Sequence, residues 1–163
     1  MTSLAEPDAP AEAAPMYDMI ELLYFAYRDF VGDADRLLEA YGFGRAHHRV
    51  LHFVARHPGL TIAELLDILA ITKQSLNRVL KELIAQDFIE ARAGAQDRRQ
   101  RRLHVSPKGR DLALKLARAQ TRRFAAAMRA LGPNAKSGAA AFLLEMIDAG
   151  ARERVLELIE AER

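Results

Sequence analysis

Apolar residues recur along this chain mostly at helical spacing, and polar runs separate the periods. Between Met16 and Tyr41, Ile20, Leu23, Tyr27, Phe30 and Val31 fall every three or four residues, which predicts a helix. "YGFG" at 41–44 interrupts it. A second helix is predicted over 45–56, with Val50, Leu51, Phe53 and Val54 apolar, and "HPG" at 57–59 ends it, because Pro58 disfavours helical geometry at the residue before it. "TIAE" at 61–64 is a capping box that starts a short helix through Leu69. After a tight turn, Thr72 caps a helix over 73–86, in which Leu76, Val79, Leu80, Leu83 and Ile84 form the stripe to be buried. "FIEAR" (88–92) reads as a strand. "RLHV" (102–105) reads as another, with Leu103 and Val105 alternating against Arg102 and His104. Ser106 and Pro107 then cap and open a long helix to Leu131, with Leu112, Leu116, Phe124 and Met128 on its apolar side. "GPNAKSG" (132–138) reads as a loop, and 139–161 as a last helix or helix pair carrying Phe142, Met146, Val155, Leu158 and Ile159.

The order is helix, helix, capped short helix, tight turn, amphipathic helix, hairpin, long helix. Two short helices across a tight turn form a helix-turn-helix, and a hairpin directly after them is a wing. The fold class is therefore mainly α with a small β-hairpin wing, a winged helix-turn-helix with a helical dimerisation region. Residues 1–15 ("MTSLAEPDAPAEAAP") read as a flexible acidic tail, 16–44 as an N-terminal dimerisation helix, 45–110 as the winged lobe and 111–163 as C-terminal dimerisation helices. The dimer expectation has a physical basis: the first and last helices carry more apolar positions than one small core can bury.

Charge sharpens this picture. The net charge of +2 conceals a split: residues 1–40 hold nine acids and two bases, whereas 92–110 hold seven bases and one acid, Asp97. A field concentrated in this way suits an anionic partner. The polar face of helix 73–86 presents Gln74, Asn77, Arg78 and Lys81. Gln and Asn match adenine edges, Arg matches guanine, and Lys suits phosphate. Thr72 and Ser75, at the start of that helix, suit phosphate as well. The hairpin loop "GAQDRRQRR" (94–102) adds Arg98, Arg99, Arg101 and Arg102. These features predict double-stranded DNA as the partner.

The segment "DRRQRRLHVSPKG" (97–109) resembles the wing and following helix start of MarR-family transcription regulators. "TIAELLDILAITKQSLNRVLKELIAQDFIEAR" (61–92) agrees with that family's helix-turn-helix and first wing strand. "GRAHHRVLHFV" (44–54) is similar to its PetP-like branch. The resemblance spans about residues 16–150. It implies a homodimer joined by its first and last helices, a pseudo-palindromic operator, repression, and release by a small-molecule effector. By position, Asp97 and Arg99 match the family's Asp-x-Arg, in which the Asp orients an arginine that enters the minor groove. Such a groove is narrow and negative, which suits an arginine at a hairpin tip. Arg98, Arg101 and Arg102 then fall to phosphates or wing support. Asp87 departs from the family's usual Gly, which predicts a shifted turn into the wing.

Four of the five histidines lie close together: His47, His48, His52 and His57. His48 and His52 share a helix face at a spacing open to a metal-sensing alternative, but there is no Cys and no His-Glu-x-x-His motif, so no metal or cofactor is expected. A middle reading, between metal ligands and ordinary surface or packing histidines, places His48, Arg49 and His52, with Tyr24 and Tyr27, around a pocket for an anionic effector, in the region where the resemblance implies one. A winged-helix protein-interaction module is the other alternative, and the base-matching face of helix 73–86 argues against it. No nucleophile elbow, P-loop or dinucleotide fingerprint occurs, so the chain does not read as an enzyme. The acidic N-terminus lacks a signal-peptide pattern and no apolar run has membrane-spanning length, so a cytoplasmic protein is expected.

Overall fold

The computed structural model describes residues 14–161. The tail expected at 1–15 lies outside the described residues, apart from Ala14 and Pro15. Helix α1 (Tyr17–Leu38) tightens into a 3-10 turn and stops at Gly42, whose φ of 70° is left-handed. Then come α2 (Arg45–Arg56), β1 (Leu60–Thr61), α3 (Ile62–Leu69), α4 (Lys73–Ala85), β2 (Ile89–Ala93), β3 (Arg101–Val105), α5 (Pro107–Leu131), α6 (Ala135–Glu145) and α7 (Arg152–Glu160).

The strands form one antiparallel sheet in the order β1-β3-β2. Ile89 faces Val105 and Ala93 faces Arg101 across the hairpin, while Leu60 and Thr61 pair with Leu103 and Arg102. One core sits beneath the sheet. Leu38, Val50, Leu51, Leu65, Leu76, Leu83, Phe88, Leu103 and Leu116 fill it, so α1, α5 and the winged lobe meet there.

The structure corrects the sequence expectations at four places. A third strand, β1, adjoins the hairpin; two residues are too short to show a period, and Thr61 also serves as a helix cap. The first wing strand is 89–93, because Phe88 is a fully buried plug at its base. Helix α6 starts at Ala135, inside the stretch read as a loop, and a 3-10 turn at Ala149–Ala151 separates it from α7. Ile84 is not buried: it is 42 % exposed, and the buried stripe of α4 is Leu76, Val79, Leu80 and Leu83.

The terminal helices leave much apolar surface uncovered. Tyr17 is 67 % exposed, Leu22 62 % and Ile159 61 %, and neither α6 nor α7 has a buried residue. Only the first half of α5 contributes fully buried side chains, ending at Ala119.

Candidate nucleic-acid interface

The helix-turn-helix is built from two caps. Thr61 Oγ1 accepts the Glu64 N–H at 3.2 Å, and Glu64 Oε2 accepts the Thr61 N–H at 2.9 Å, which starts α3. Ala70 ends it in a left-handed conformation (φ 50°), and two residues later Thr72 Oγ1 accepts the Ser75 N–H at 3.2 Å to start α4. The Thr72 hydroxyl also donates to Ser75 Oγ at 2.9 Å. With Leu76, Val79, Leu80 and Leu83 turned into the core, α4 must present Gln74, Asn77, Arg78 and Lys81 outward. All four are exposed, and none has a side-chain hydrogen bond or ion pair to another described residue.

The base of the wing is clamped. Asp87 itself adopts the left-handed conformation, with φ 62°, so the turn is made where a glycine would make it. Its N–H and that of Phe88 close onto Ile84 O (3.0 Å) and Leu83 O (2.9 Å). From the far strand, the Ser106 hydroxyl donates to Asp87 O at 2.5 Å, and Ser106 Oγ accepts the Gly109 N–H at 3.0 Å, capping α5. Gly109 lies against the chain: a Cβ there would stand 2.0 Å from Phe88 O. Lys108 Nζ donates to Gln86 O at 2.9 Å and sits 4.3 Å from the Phe88 ring centroid. The run Ser106-Pro-Lys-Gly109 thus joins the end of α4 to the start of α5.

At the tip, Gly94 N–H donates to Gln100 O (2.8 Å) and Gln100 N–H to Asp97 O (3.1 Å). A Cβ on Gly94 would meet Asp97 O at 2.7 Å, so Gly94 answers to close approach, not to a left-handed backbone. Asp97 Oδ1 accepts the backbone N–H of Arg99 at 2.9 Å. The Asp therefore shapes the loop that carries Arg99, whose guanidinium has no side-chain partner among the described residues. Arg102 reaches back to Gly59 O (3.1 Å) and Gln100 Oε1 (3.2 Å), tying the residue before β1 to the wing. Arg98 and Arg101 have no side-chain partner among the described residues. Arg101 joins Asn77 and Lys81 at the rim of one groove of about 470 Å³, floored by Leu80, Ile84 and Leu103. The exposure of Ile84 follows from its place in that floor. Wing and α4 thereby share one face.

A separate cavity of about 240 Å³ lies between α1, α2 and α5, lined by Tyr27, Phe30, Arg45, His48, Arg49, His52 and Gln120 among others. Arg49 donates to Tyr27 Oη at 3.0 Å, and Arg45 pairs with Asp35 at 3.0 Å. Burial lowers the pKa of His48, with Asp35 opposing and Arg49 reinforcing the shift; burial also lowers that of His52, with His48, Arg56 and His57 reinforcing it. Tyr24 does not line this cavity. It stands 64 % exposed about one turn before Tyr27 on α1, its ring edge-on to Phe25 at 5.2 Å. The neighbouring histidines occupy different places. His48 and His52 face the cavity, whereas His47 is buried: its Nδ1 accepts the Gly44 N–H at 3.1 Å and its Nε2 lies 2.6 Å from Glu82 Oε2 on α4. No group of three or more His, Asp or Glu side chains among the described residues is placed to hold a metal ion. Arg45 and Gln120 escaped sequence reasoning because their only signal is which helices meet. The pairing of His47 escaped because Glu82 lies 35 residues away.

The MarR family model matches residues 41–100, most of the lobe just described. The chain is 47 % identical over 143 residues to the HTH-type transcriptional regulator PetP of Rhodobacter capsulatus, covering 88 % of this chain and 86 % of that protein. Among solved structures, MarR superposes with a TM-score of 0.66 at 20 % identity over 93 % of this chain and 98 % of MarR. Staphylococcus aureus MepR in its DNA-binding conformation gives 0.67 at 19 % identity over 78 % and 95 %. Both share the winged-helix fold. On these grounds the chain is a DNA-binding transcriptional regulator of the MarR family.

Proposed function

We propose that this protein is a cytoplasmic, homodimeric, sequence-specific regulator that represses from a pseudo-palindromic operator. The observation that carries the reading is the row of exposed donors shared by α4 and the wing, Asn77, Arg78, Lys81, Arg98, Arg99 and Arg101, whose side chains have no partner among the described residues. Unpaired long side chains on a surface gain most from a partner that supplies acceptors, and duplex DNA supplies them in base edges and phosphates. Gln74, Asn77 and Arg78 take base edges, Arg99 the minor groove, and Thr72, Ser75, Lys81, Arg98 and Arg101 the backbone. Arg102 holds the wing. Residues 16–44 and 111–163 form the dimer, because α1, α6 and α7 leave large apolar side chains uncovered. A two-fold dimer then sets two α4 helices about one DNA turn apart.

The cavity between α1, α2 and α5 is the effector site in this reading. It combines aromatic walls from Tyr27 and Phe30 with Arg49, His48 and His52, a lining suited to a small anion with an apolar body. It touches both the dimer helices and the lobe, so a ligand there is placed to alter their relation. Gel-shift titration of genomic fragments tests the function: operator-selective binding, weakened by Arg99→Ala, supports it, and binding indifferent to sequence overturns it.

A further inference from the structure

The pair His47–Glu82 has no part in the interface as described, yet it ends on the DNA-facing helix. Gly44 N–H donates to Nδ1 of His47, so that nitrogen carries the lone pair and Nε2 carries the proton. Nε2–H therefore donates to Glu82 Oε2, at 2.6 Å. The ring is held from the side by Phe43, stacked at 4.6 Å and 16°. Its donor is thus fixed in both tautomer and direction. Its acceptor is not enclosed: the Glu82 side chain is 42 % exposed, and His47 is its sole side-chain partner among the described residues.

Glu82 stands four residues after Arg78 on α4, the spacing at which opposite charges on a helix meet. Arg78 is exposed and has no side-chain partner among the described residues. A carboxylate released from His47 finds that guanidinium one turn back along the helix. It also becomes a bare negative charge beside any bound phosphate. We propose that His47 is a positioning residue for DNA recognition: it holds the Glu82 carboxylate on the α2 side and so keeps Arg78 free for the duplex. This rests on the reading of Arg78 as a DNA contact. One buried imidazole thereby serves two ends. It satisfies the Gly44 N–H at the start of α2, and it keeps an acid on α4 away from the recognition face.

The test is quantitative binding of the intact protein to its selected operator, with Arg78→Ala, His47→Ala, His47→Gln and the double variant His47→Ala/Glu82→Gln. An in-helix pair is worth about 0.2–0.5 kcal/mol, and the Arg-before-Glu order of this one puts it toward the lower end, about 1.4-fold per subunit and about two-fold for a dimer on two half-sites. His47→Ala weakens operator binding by about that factor. His47→Gln, which keeps a donor near the position of Nε2, binds like the parent. The double variant regains the lost affinity, because the neutral amide of Glu82→Gln neither captures Arg78 nor repels phosphate. Weak binding in both His47→Ala and the double variant overturns the proposal, since the loss then comes from displaced packing. Full binding by His47→Ala overturns it too. Arg78→Ala separates the two levels: unchanged operator preference in that variant overturns the parent reading of Arg78, whereas lost preference without rescue by Glu82→Gln overturns this inference alone.

Discussion

Gly109→Ala tests the clamp at the base of the wing, and two simple arguments predict opposite signs for it. Gly109 lies in the first turn of α5, and on helix propensity alone alanine there is favoured by up to about 1 kcal/mol. The packing argues otherwise. A Cβ would stand 2.0 Å from Phe88 O and 2.9 Å from Phe88 C, where ordinary contact begins at 3.4 Å. Phe88 is pinned: its side chain is fully buried, its N–H donates to Leu83 O at 2.9 Å, and its carbonyl accepts the Ser106 N–H at 3.0 Å. The start of α5 must therefore retreat and stretch the Ser106 cap. Overpacking costs about 1–3 kcal/mol and a lost cap about 1 kcal/mol, so after the propensity gain the net loss is about 1–3 kcal/mol. For a chain of this length each kcal/mol moves Tm by about 2–4 °C, so a fall of about 2–12 °C follows. Thermal unfolding followed by far-UV circular dichroism, at fixed protein concentration, reads it. A Tm equal to or above the parent's refutes the close-packing argument.

Asp87→Gly relieves the left-handed residue at the wing base and raises stability by up to about 1 kcal/mol, whereas Asp87→Val lowers it by about 1–2 kcal/mol; urea unfolding measures both. Asp97→Ala removes the acceptor for the Arg99 N–H and weakens operator binding about two- to ten-fold while leaving Tm unchanged, so equal affinity refutes a role for the ordered tip. His48 and His52 both titrate below 6.5 because burial favours their neutral forms. As the pH falls through 6.5 the unfolded chain takes up protons first, so stability is fully present above that value and is lost as the pH drops toward and through the lower folded values. His48→Gln/His52→Gln flattens that acid limb, and an unaltered pH profile of unfolding contradicts their burial.

The parts of this fold that could be read from the residues were those with local causes. The caps at Thr61, Thr72 and Ser106, and the breaks at Gly42 and Pro58, act within four residues of chain, and α2 to α5 begin and end within a residue or so of where they point. β1 has no local signal because its reason is Leu103, more than forty residues away, and Ile84 shares the period of the buried stripe because periodicity cannot tell a core from a groove. The site divides in the same way. The outward face of α4 follows from its buried face. By contrast, that Asp97 meets the backbone N–H of Arg99 is set by the folded loop at the tip and has no signal in residue type or spacing. Tyr24 falls outside the cavity because the meeting of α1 with α2 and α5 decides which turn of α1 lines it.

In the proposed function, two copies of α4 and the wing read one two-fold site. Hydroxyl-radical footprinting of the protein on an operator selected from its own genome tests this most directly. Two symmetric protected segments about one helical turn apart are expected, with minor-groove protection outside each that Arg99→Ala removes. A single protected segment, or a footprint that Arg99→Ala leaves unchanged, contradicts it.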